Sequence, residues 1–380
     1  MFRISSFMKE LQHPTPPSPP LSAPVVIWNL IRRCNLSCSH CYSSSTNKDF
    51  PGELSFQQIC TVLNDLHVYG VRALILSGGE PLLRPDIFSI AHYARSLGLY
   101  VGLSSNGTLI NHDNIKAIAD CGFNYVGISL DGQESRHDRI RGQDGAYAAS
   151  LKALRLCRDH DLKVGLRFTL TQENAGDLPS LLRLLGEERI DRFYLSHLNY
   201  AGRGIQHRTQ AAHHRMTRHA MEQVFTACLD YMQAGQAKEF TSGNNDADGV
   251  FFLHWVRRHY PDHAPHILAK LRQWGGNSSG MNIANIDNRG NVHPDTMWWH
   301  YKLGNVLEQP FSTIWSNPDE PLLQQLRQRP RPVRGRCARC AYLPICNGNT
   351  RTRAQKSSGD LWAEDPGCYL TRQEIESQAH

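Results

Sequence analysis

The chain has 380 residues, 40% hydrophobic and 20% charged, enough to bury a large core and to form more than one structural unit. Its net charge of +6, joined by 19 histidines, is spread out with no lysine-rich tract, which disfavours a nucleic-acid partner and suits an anionic small substrate. No run of eighteen apolar residues exists and Met1–Glu10 has no apolar signal-peptide core, so neither a membrane span nor export is expected; the cytoplasm is the expected location.

In chain order, residues 1–24 read as a short amphipathic piece followed by the polyproline-like run Pro14–Pro20, a tether. Strands are expected at 25–30, 71–77, 100–104, 125–130, 163–170 and 192–195. Helices are expected between them near 55–69, 86–97, 112–121, 145–160 and 178–185, the first opening on the capping-box form Ser55-x-x-Gln58. Six βα repeats predict an α/β fold, a partial (β/α)6 TIM-like barrel over 25–210, whose strand C-terminal ends carry the chemistry. Residues 211–274 read as a helical connection with a helix from His213 to Gln233 packing Met216, Ala220, Val224, Ala227, Cys228 and Tyr231. The stretch Thr241–Gly249 reads as a polar turn and lacks the ligand spacing of a calcium loop. From 275 to 380 a small α+β module is expected, beginning with a hairpin turned at Asn288-Arg289-Gly290.

Chemistry concentrates at the exits of the expected strands. After the first comes Cys34-x3-Cys38-x2-Cys41, which can hold three irons of a 4Fe-4S cube and leave the fourth open. Zinc closed by His40 as fourth ligand is the competing reading; a disulfide leaves one thiol unpaired. After the second strand stands Gly78-Gly79-Glu80-Pro81, where two glycines allow close approach to a ligand and a carboxylate can accept from an ammonium group. Ser104–Thr108 and Ser129–Gly132 bring further polar groups to the mouth, and Arg141 could clamp a carboxylate. Near the end, Cys337-x2-Cys340-x5-Cys346 and Cys368 supply four thiols for a second iron-sulfur cube or a closed zinc site.

The thiol loop combined with Gly-Gly-Glu-Pro resembles the radical S-adenosylmethionine (SAM) superfamily over roughly residues 25–200. The resemblance implies a cluster on Cys34, Cys38 and Cys41, with SAM on the open iron. It also implies SAM contacts from Gly78, Gly79, Glu80, Asn106, Ser129, Asp131 and Arg141, with His40 against adenine. The tail resembles the SPASM/twitch extension. Departures at Gly275–Asn277, Asp295 and Thr350 leave four cysteines, Cys337, Cys340, Cys346 and Cys368, for one auxiliary 4Fe-4S cluster, two clusters in all. Asp295 and His293 become candidate substrate-facing catalytic groups, a buried capped turn being the alternative. Segments Val25–Ser45, Gly243–Gly249, Gly275–Trp299 and Trp362–Tyr369 resemble the tetrapyrrole-modifying enzymes of haem d1 biosynthesis. That implies an anionic iron tetrapyrrole substrate, to which Trp298-Trp299 offers flat surfaces, and an electron donor such as flavodoxin or ferredoxin. Acetate-trimming haem enzymes and peptide maturases are the nearer alternatives, and a non-catalytic metal scaffold the distant one. A monomer is expected.

Overall fold

The computed structural model describes residues 1–16, 23–236 and 238–376. Six parallel strands form its centre: β1 (Val25–Ile31), β2 (Ala73–Gly78), β3 (Tyr100–Ser105), β4 (Tyr125–Ser129), β5 (Val164–Leu170) and β6 (Arg192–His197). Their β-branched and aromatic side chains are buried by the crossover helices, giving the near-continuous apolar strands of a covered parallel sheet. The helix Phe56–Tyr69 starts at the expected capping box: Ser55 Oγ accepts from Gln58 N at 3.3 Å, and Gln58 Oε1 accepts from Ser55 N at 2.8 Å. It ends on Gly70 at φ +94°, the left-handed closure glycine permits.

The sheet does not stop at six strands. β7 (Glu239–Gly243) pairs parallel with β6, and β8 (Ile283–Ile286) pairs parallel with β1 at the register Val25↔Ile283. β9 (Asn291–His293) returns antiparallel to β8 through the expected hairpin, and β10 (Gly304–Asn305) closes a ten-stranded order β10-β9-β8-β1-β2-β3-β4-β5-β6-β7. The partial TIM-like barrel and the C-terminal α+β module therefore share one sheet. The polar stretch expected as a turn from Thr241 divides in three: the end of β7, a turn with Asn244 at φ +63°, and the helix Ala247–His259. That helix buries Val250, Phe251, Phe252, Leu253, Trp255 and Val256.

The amphipathic N-terminal piece, ahead of the Pro-rich run, packs on the sheet. Phe2 exchanges backbone hydrogen bonds with Ser242 on β7 at 2.8 and 2.9 Å, and its ring packs 5.6 Å from Phe252 and 5.2 Å from Trp274. The helix Ile4–Lys9 buries Ile4 and Met8, so this segment covers the outer edge of β7. Residues 17–22 of the Pro-rich run lie outside the described residues. The helix expected from His213 spans His214–Gln233, with His213 Nδ1 accepting from Met216 N; Thr217, Met221 and Phe225 join Ala220, Val224 and Cys228 as its buried side, leaving Met216, Ala227 and Tyr231 half-buried. Among the described residues no helix is long and apolar enough to cross a membrane.

Candidate active site at the barrel mouth

The thiol loop leaves β1 and is held from three sides. Gly79 N donates to Ile31 O at 2.6 Å and Glu80 N to Arg33 O at 2.9 Å, laying the exit of β2 along the start of the loop. A Cβ on Gly78 would stand 2.4 Å from Ile31 O, and one on Gly79 2.2 Å from Arg33 O. The glycine pair thus permits contact between two backbone segments, a nearer cause than approach to a ligand. On the far side, Arg203 on the exit of β6 donates from Nε to Cys38 O at 2.7 Å and from Nη1 to Ser45 O at 2.8 Å, while its backbone N reaches Cys41 O at 2.9 Å. From the third side, Arg141 Nη1 lies 3.5 Å from Cys38 Sγ.

Glu80 is fully buried. Its Oε1 accepts from Ser105 Oγ at 2.9 Å and Leu82 N at 3.1 Å, and its Oε2 from Asn106 N at 2.8 Å. Burial pushes its carboxyl up to about 7 despite those three donors. Asn106 in turn donates to Asn35 Oδ1 at 2.9 Å and accepts from Thr108 N, so Glu80 and Asn106 both brace the thiol loop from the β3 exit. Ser129 is half-buried at the end of β4.

Asp131, expected to offer an oxygen to a ribose, is already committed. Oδ2 pairs with Arg141 and lies 3.0 Å from His40 Nε2, while Oδ1 accepts from Thr169 N at 2.7 Å. Burial alone would raise this carboxyl; the Arg141 guanidinium and His40 outweigh it and hold it well below the usual carboxylate range. Asp131 positions His40 and Arg141, whose own free atoms face any ligand. Four buried nitrogens here lack a partner among the described residues: His40 Nδ1, Arg141 Nε, Asn199 Nδ2 and Arg203 Nη2. Three of these are donors, and His40 Nδ1, with Nε2 donating to Asp131, is an acceptor; buried polar atoms left unsatisfied beside the thiol loop are available to a polar ligand.

The donor set fits an iron-sulfur group. Cys34, Cys38 and Cys41 cluster with Leu36, and as thiols they are awkward: burial, followed by the neighbouring thiols and Glu80, pushes Cys34 up to about 12. Metal coordination is the ordinary way such sulfurs become thiolates. In the C-terminal module burial, and then Cys340, Cys368 and Cys337 together, raise Cys346, so all four thiols are near neighbours; Arg336 Nη2 lies 3.6 Å from Cys368 Sγ. Among the described residues no three His, Cys, Asp or Glu groups converge at single-ion range. His40, the fourth ligand of the zinc reading, has its Nε2 3.0 Å from Asp131 Oδ2.

The expected substrate-facing pair is differently placed. His293 is buried, with Nδ1 2.7 Å from Tyr301 O and Nε2 3.4 Å from Asp287 Oδ2, so both ring nitrogens are engaged within the hairpin. Asp295 accepts from Ser279 Oγ and from Met297 N at 2.7 Å, capping its own turn. Trp298 is buried in a small second core and Trp299 lies against Arg32 and His293, so neither is an open platform. The sequence does not single out Arg203 or the buried His197 and Asp248. The flanking glycines were Arg203's signal: a Cβ on Gly202 would meet Tyr42 O at 2.3 Å.

Beside the exits of β5 and β6 lies a cavity of about 530 Å³. Its walls come from the exits of β5 and β6, from Arg208 and His213 ahead of the long helix, and from Pro366-Gly367 immediately before Cys368.

A parallel β/α barrel with a three-thiol loop after its first strand, joined to a four-thiol module, defines a radical SAM enzyme with a SPASM extension. The chain belongs to that superfamily: residues 28–185 match the radical SAM superfamily and 278–341 the SPASM iron-sulfur cluster-binding domain. It is a SAM- and iron-sulfur-dependent enzyme. It is similar to the pre-heme d1 synthase of Dinoroseobacter shibae, 50% identical over 378 residues, covering 98% of this chain and 93% of that protein. It is also 39% identical to the Fe-coproporphyrin III synthase of Methanosarcina barkeri, over 93% of this chain and 89% of that one. In fold it is similar to Streptococcus suis SuiB bound to S-adenosylmethionine, with a TM-score of 0.72 at 18% identity, covering 96% of this chain and 80% of that one.

Proposed function

We propose that this enzyme acts on 12,18-didecarboxysirohaem in haem d1 biosynthesis, removing two propionate side chains on the way to the oxo groups of rings A and B. The observation that carries the reading is the cavity of about 530 Å³ at the exits of β5 and β6, bordered by Pro366-Gly367 just before Cys368 and lined by Arg208, His213 and other basic side chains. The 50% identity over nearly the whole chain to a pre-heme d1 synthase supports the choice among tetrapyrroles.

In this reading Cys34, Cys38 and Cys41 hold one 4Fe-4S cluster and Cys337, Cys340, Cys346 and Cys368 a second. What the clusters and SAM supply when bound is a 5′-deoxyadenosyl radical able to take a hydrogen from a propionate chain, and an acceptor for the electron left behind. The chain's own residues do the rest. Arg141 offers its buried Nε to the SAM carboxylate, and Asp131 keeps that guanidinium aimed. His40 lies at the edge of the same pocket with Nδ1 free. The backbone of the Gly78–Pro81 segment, braced by Glu80, lies beside the loop to receive the SAM amino group. Arg208 supplies positive charge for substrate carboxylates, and His213, whose Nδ1 accepts from Met216 N, has its Nε2 left for the ligand. Two rings imply two hydrogen abstractions, and the external electron source is a flavodoxin or ferredoxin.

The test is anaerobic incubation of reconstituted enzyme with didecarboxysirohaem, SAM and a reductant, followed by mass analysis of the macrocycle. Loss of two propionate-derived fragments with 5′-deoxyadenosine release is the expected result. The 39% identity to an Fe-coproporphyrin III synthase favours a second reading, acetate removal. An unchanged macrocycle refutes the first reading, and loss of acetate-derived carbon instead establishes the second.

A further inference from the structure

Outside the thiol sites one more constellation is built into the barrel. His197, the last residue of β6, is 6% exposed yet lines the cavity. Its Nε2 lies 2.9 Å from Asp248 Oδ2, and Asp248 Oδ1 accepts from the Tyr369 hydroxyl at 2.8 Å. Asp248 is fully buried on the helix Ala247–His259, and Tyr369 immediately follows Cys368. A carboxylate that accepts from both neighbours fixes the imidazole tautomer, placing the proton on Nε2 and the lone pair on Nδ1. Among the described residues Nδ1 takes no hydrogen bond, and it is not sealed from solvent as the orphaned buried nitrogens are.

The contrast with His293 is informative. That histidine has both nitrogens engaged, as a purely architectural imidazole should. His197 instead has one nitrogen bound to a buried carboxylate and the other presented to a cavity, the arrangement by which proteins orient a metal-ligating histidine. Resting on the tetrapyrrole reading above, we propose that His197 Nδ1 is an axial ligand to the iron of the substrate, with Asp248 and Tyr369 as its positioning residues. Ligation at the iron fixes the plane of the macrocycle, so side chains on different rings are presented to the mouth in a defined order. The segment after His197 runs directly to Asn199 and Arg203, so the strand that holds the iron also supports the thiol loop. In the other direction, the bonded series His197–Asp248–Tyr369 ends beside Cys368.

The test uses reconstituted enzyme with its clusters oxidised and diamagnetic, so that ferric didecarboxysirohaem alone gives a paramagnetic signal. Pulsed EPR of the complex should show an imidazole nitrogen coupling that changes when the enzyme is labelled with 15N-histidine. His197→Ala should lose that coupling, and added 15N-imidazole should restore it. Asp248→Asn, which keeps the shape but leaves one acceptor oxygen for the two donors His197 Nε2 and Tyr369 hydroxyl, should weaken binding of the iron macrocycle roughly tenfold and leave its iron-free form unaffected. His197→Gln, which conserves polarity and volume, should behave as His197→Ala, guarding against a folding artefact. Wild-type coupling retained in both His197 variants would overturn the proposal. Binding of the iron macrocycle with no isotope-sensitive nitrogen would also overturn it while leaving the tetrapyrrole reading intact. Failure of the wild type to bind either macrocycle would overturn both.

Discussion

Replacing Arg203 with alanine removes two hydrogen bonds on the thiol loop, those to Cys38 O at 2.7 Å and Ser45 O at 2.8 Å, and leaves the backbone bond to Cys41 O. A charged donor on a carbonyl contributes about 1.5–3 kcal/mol. At the lower end the pair stabilises the closed loop by about 3 kcal/mol, roughly a hundredfold in the ratio of closed to open loop. The loop should then release its irons faster without any change in the second thiol set, which Arg203 does not touch. The assay is chelator challenge of reconstituted enzyme, with iron release followed in time. Wild type should lose iron in two phases; in Arg203→Ala the phase belonging to the loop should quicken by roughly ten- to a hundredfold while the other holds. Arg203→Lys, a point charge without the fork, should fall between. Identical release curves for wild type and Arg203→Ala would refute the claim that this side chain holds the loop.

Gly79→Ala places a Cβ 2.2 Å from Arg33 O, so the β2 exit must shift; SAM cleavage should be lost while circular dichroism stays near wild type, and full cleavage would show that the approach is dispensable. Glu80 carries a proton in the folded chain that the unfolded chain loses, because burial lifts its carboxyl from 4.5 to about 7. Stability should therefore fall as pH rises between about 4.5 and 7 and level off above, and Glu80→Gln should flatten that part of the curve in denaturant titrations; an unaltered slope counts against it. Alanine at Cys34, Cys38 and Cys41 should abolish SAM cleavage and leave about four irons per chain. Alanine at Cys337 and Cys340 should also leave about four irons but retain uncoupled release of 5′-deoxyadenosine, with no tetrapyrrole product by mass.

The six central strands were legible because their buried positions are filled by β-branched and aromatic residues in short runs between amphipathic helices. Both thiol sets were legible because cysteine spacing carries chemistry directly. β7 was not: Glu239-Phe240-Thr241-Ser242-Gly243 has one large apolar side chain, and its strand identity comes from pairing with β6, a long-range contact. The N-terminal piece reads as amphipathic, but its docking site does not show in the sequence: only the edge of β7 makes Ile4 and Met8 core residues. Asp131 and Glu80 were located correctly as mouth residues, but their partners were invisible. Arg141, thirty-five residues beyond Asn106 in sequence, meets Asp131 because the short helix Glu134–Arg141 returns the chain to the mouth. Sequence names the atoms available at a site more readily than it says which are already spoken for.

The continuous sheet bears directly on how the two thiol sets are held relative to one another. The loop carrying Cys346 is pinned to residues after β7 and before β8: Asn277 N donates to Cys346 O at 3.3 Å, Asn277 Nδ2 to Asp246 Oδ2 at 2.9 Å, and Asp246 N to Asn349 Oδ1 at 2.6 Å. Gly276, at φ +71°, admits the Cys346 backbone where a Cβ would stand 2.4 Å away. The first thiol loop is pinned to β1, to the β2 exit and, through Arg203, to the β6 exit. Because β8 pairs with β1 and β7 with β6, both loops hang from the same ladder of backbone hydrogen bonds. Their separation is then set by strand register, which a one-residue slip would alter at the expense of the whole buried face. A module on a flexible linker would sample a range of separations, and an electron left on a substrate radical would meet its acceptor only intermittently. On the proposed function, a radical source on the first thiol set and an acceptor on the second would share one frame set by strand register, with the cavity opening at the exits of β5 and β6.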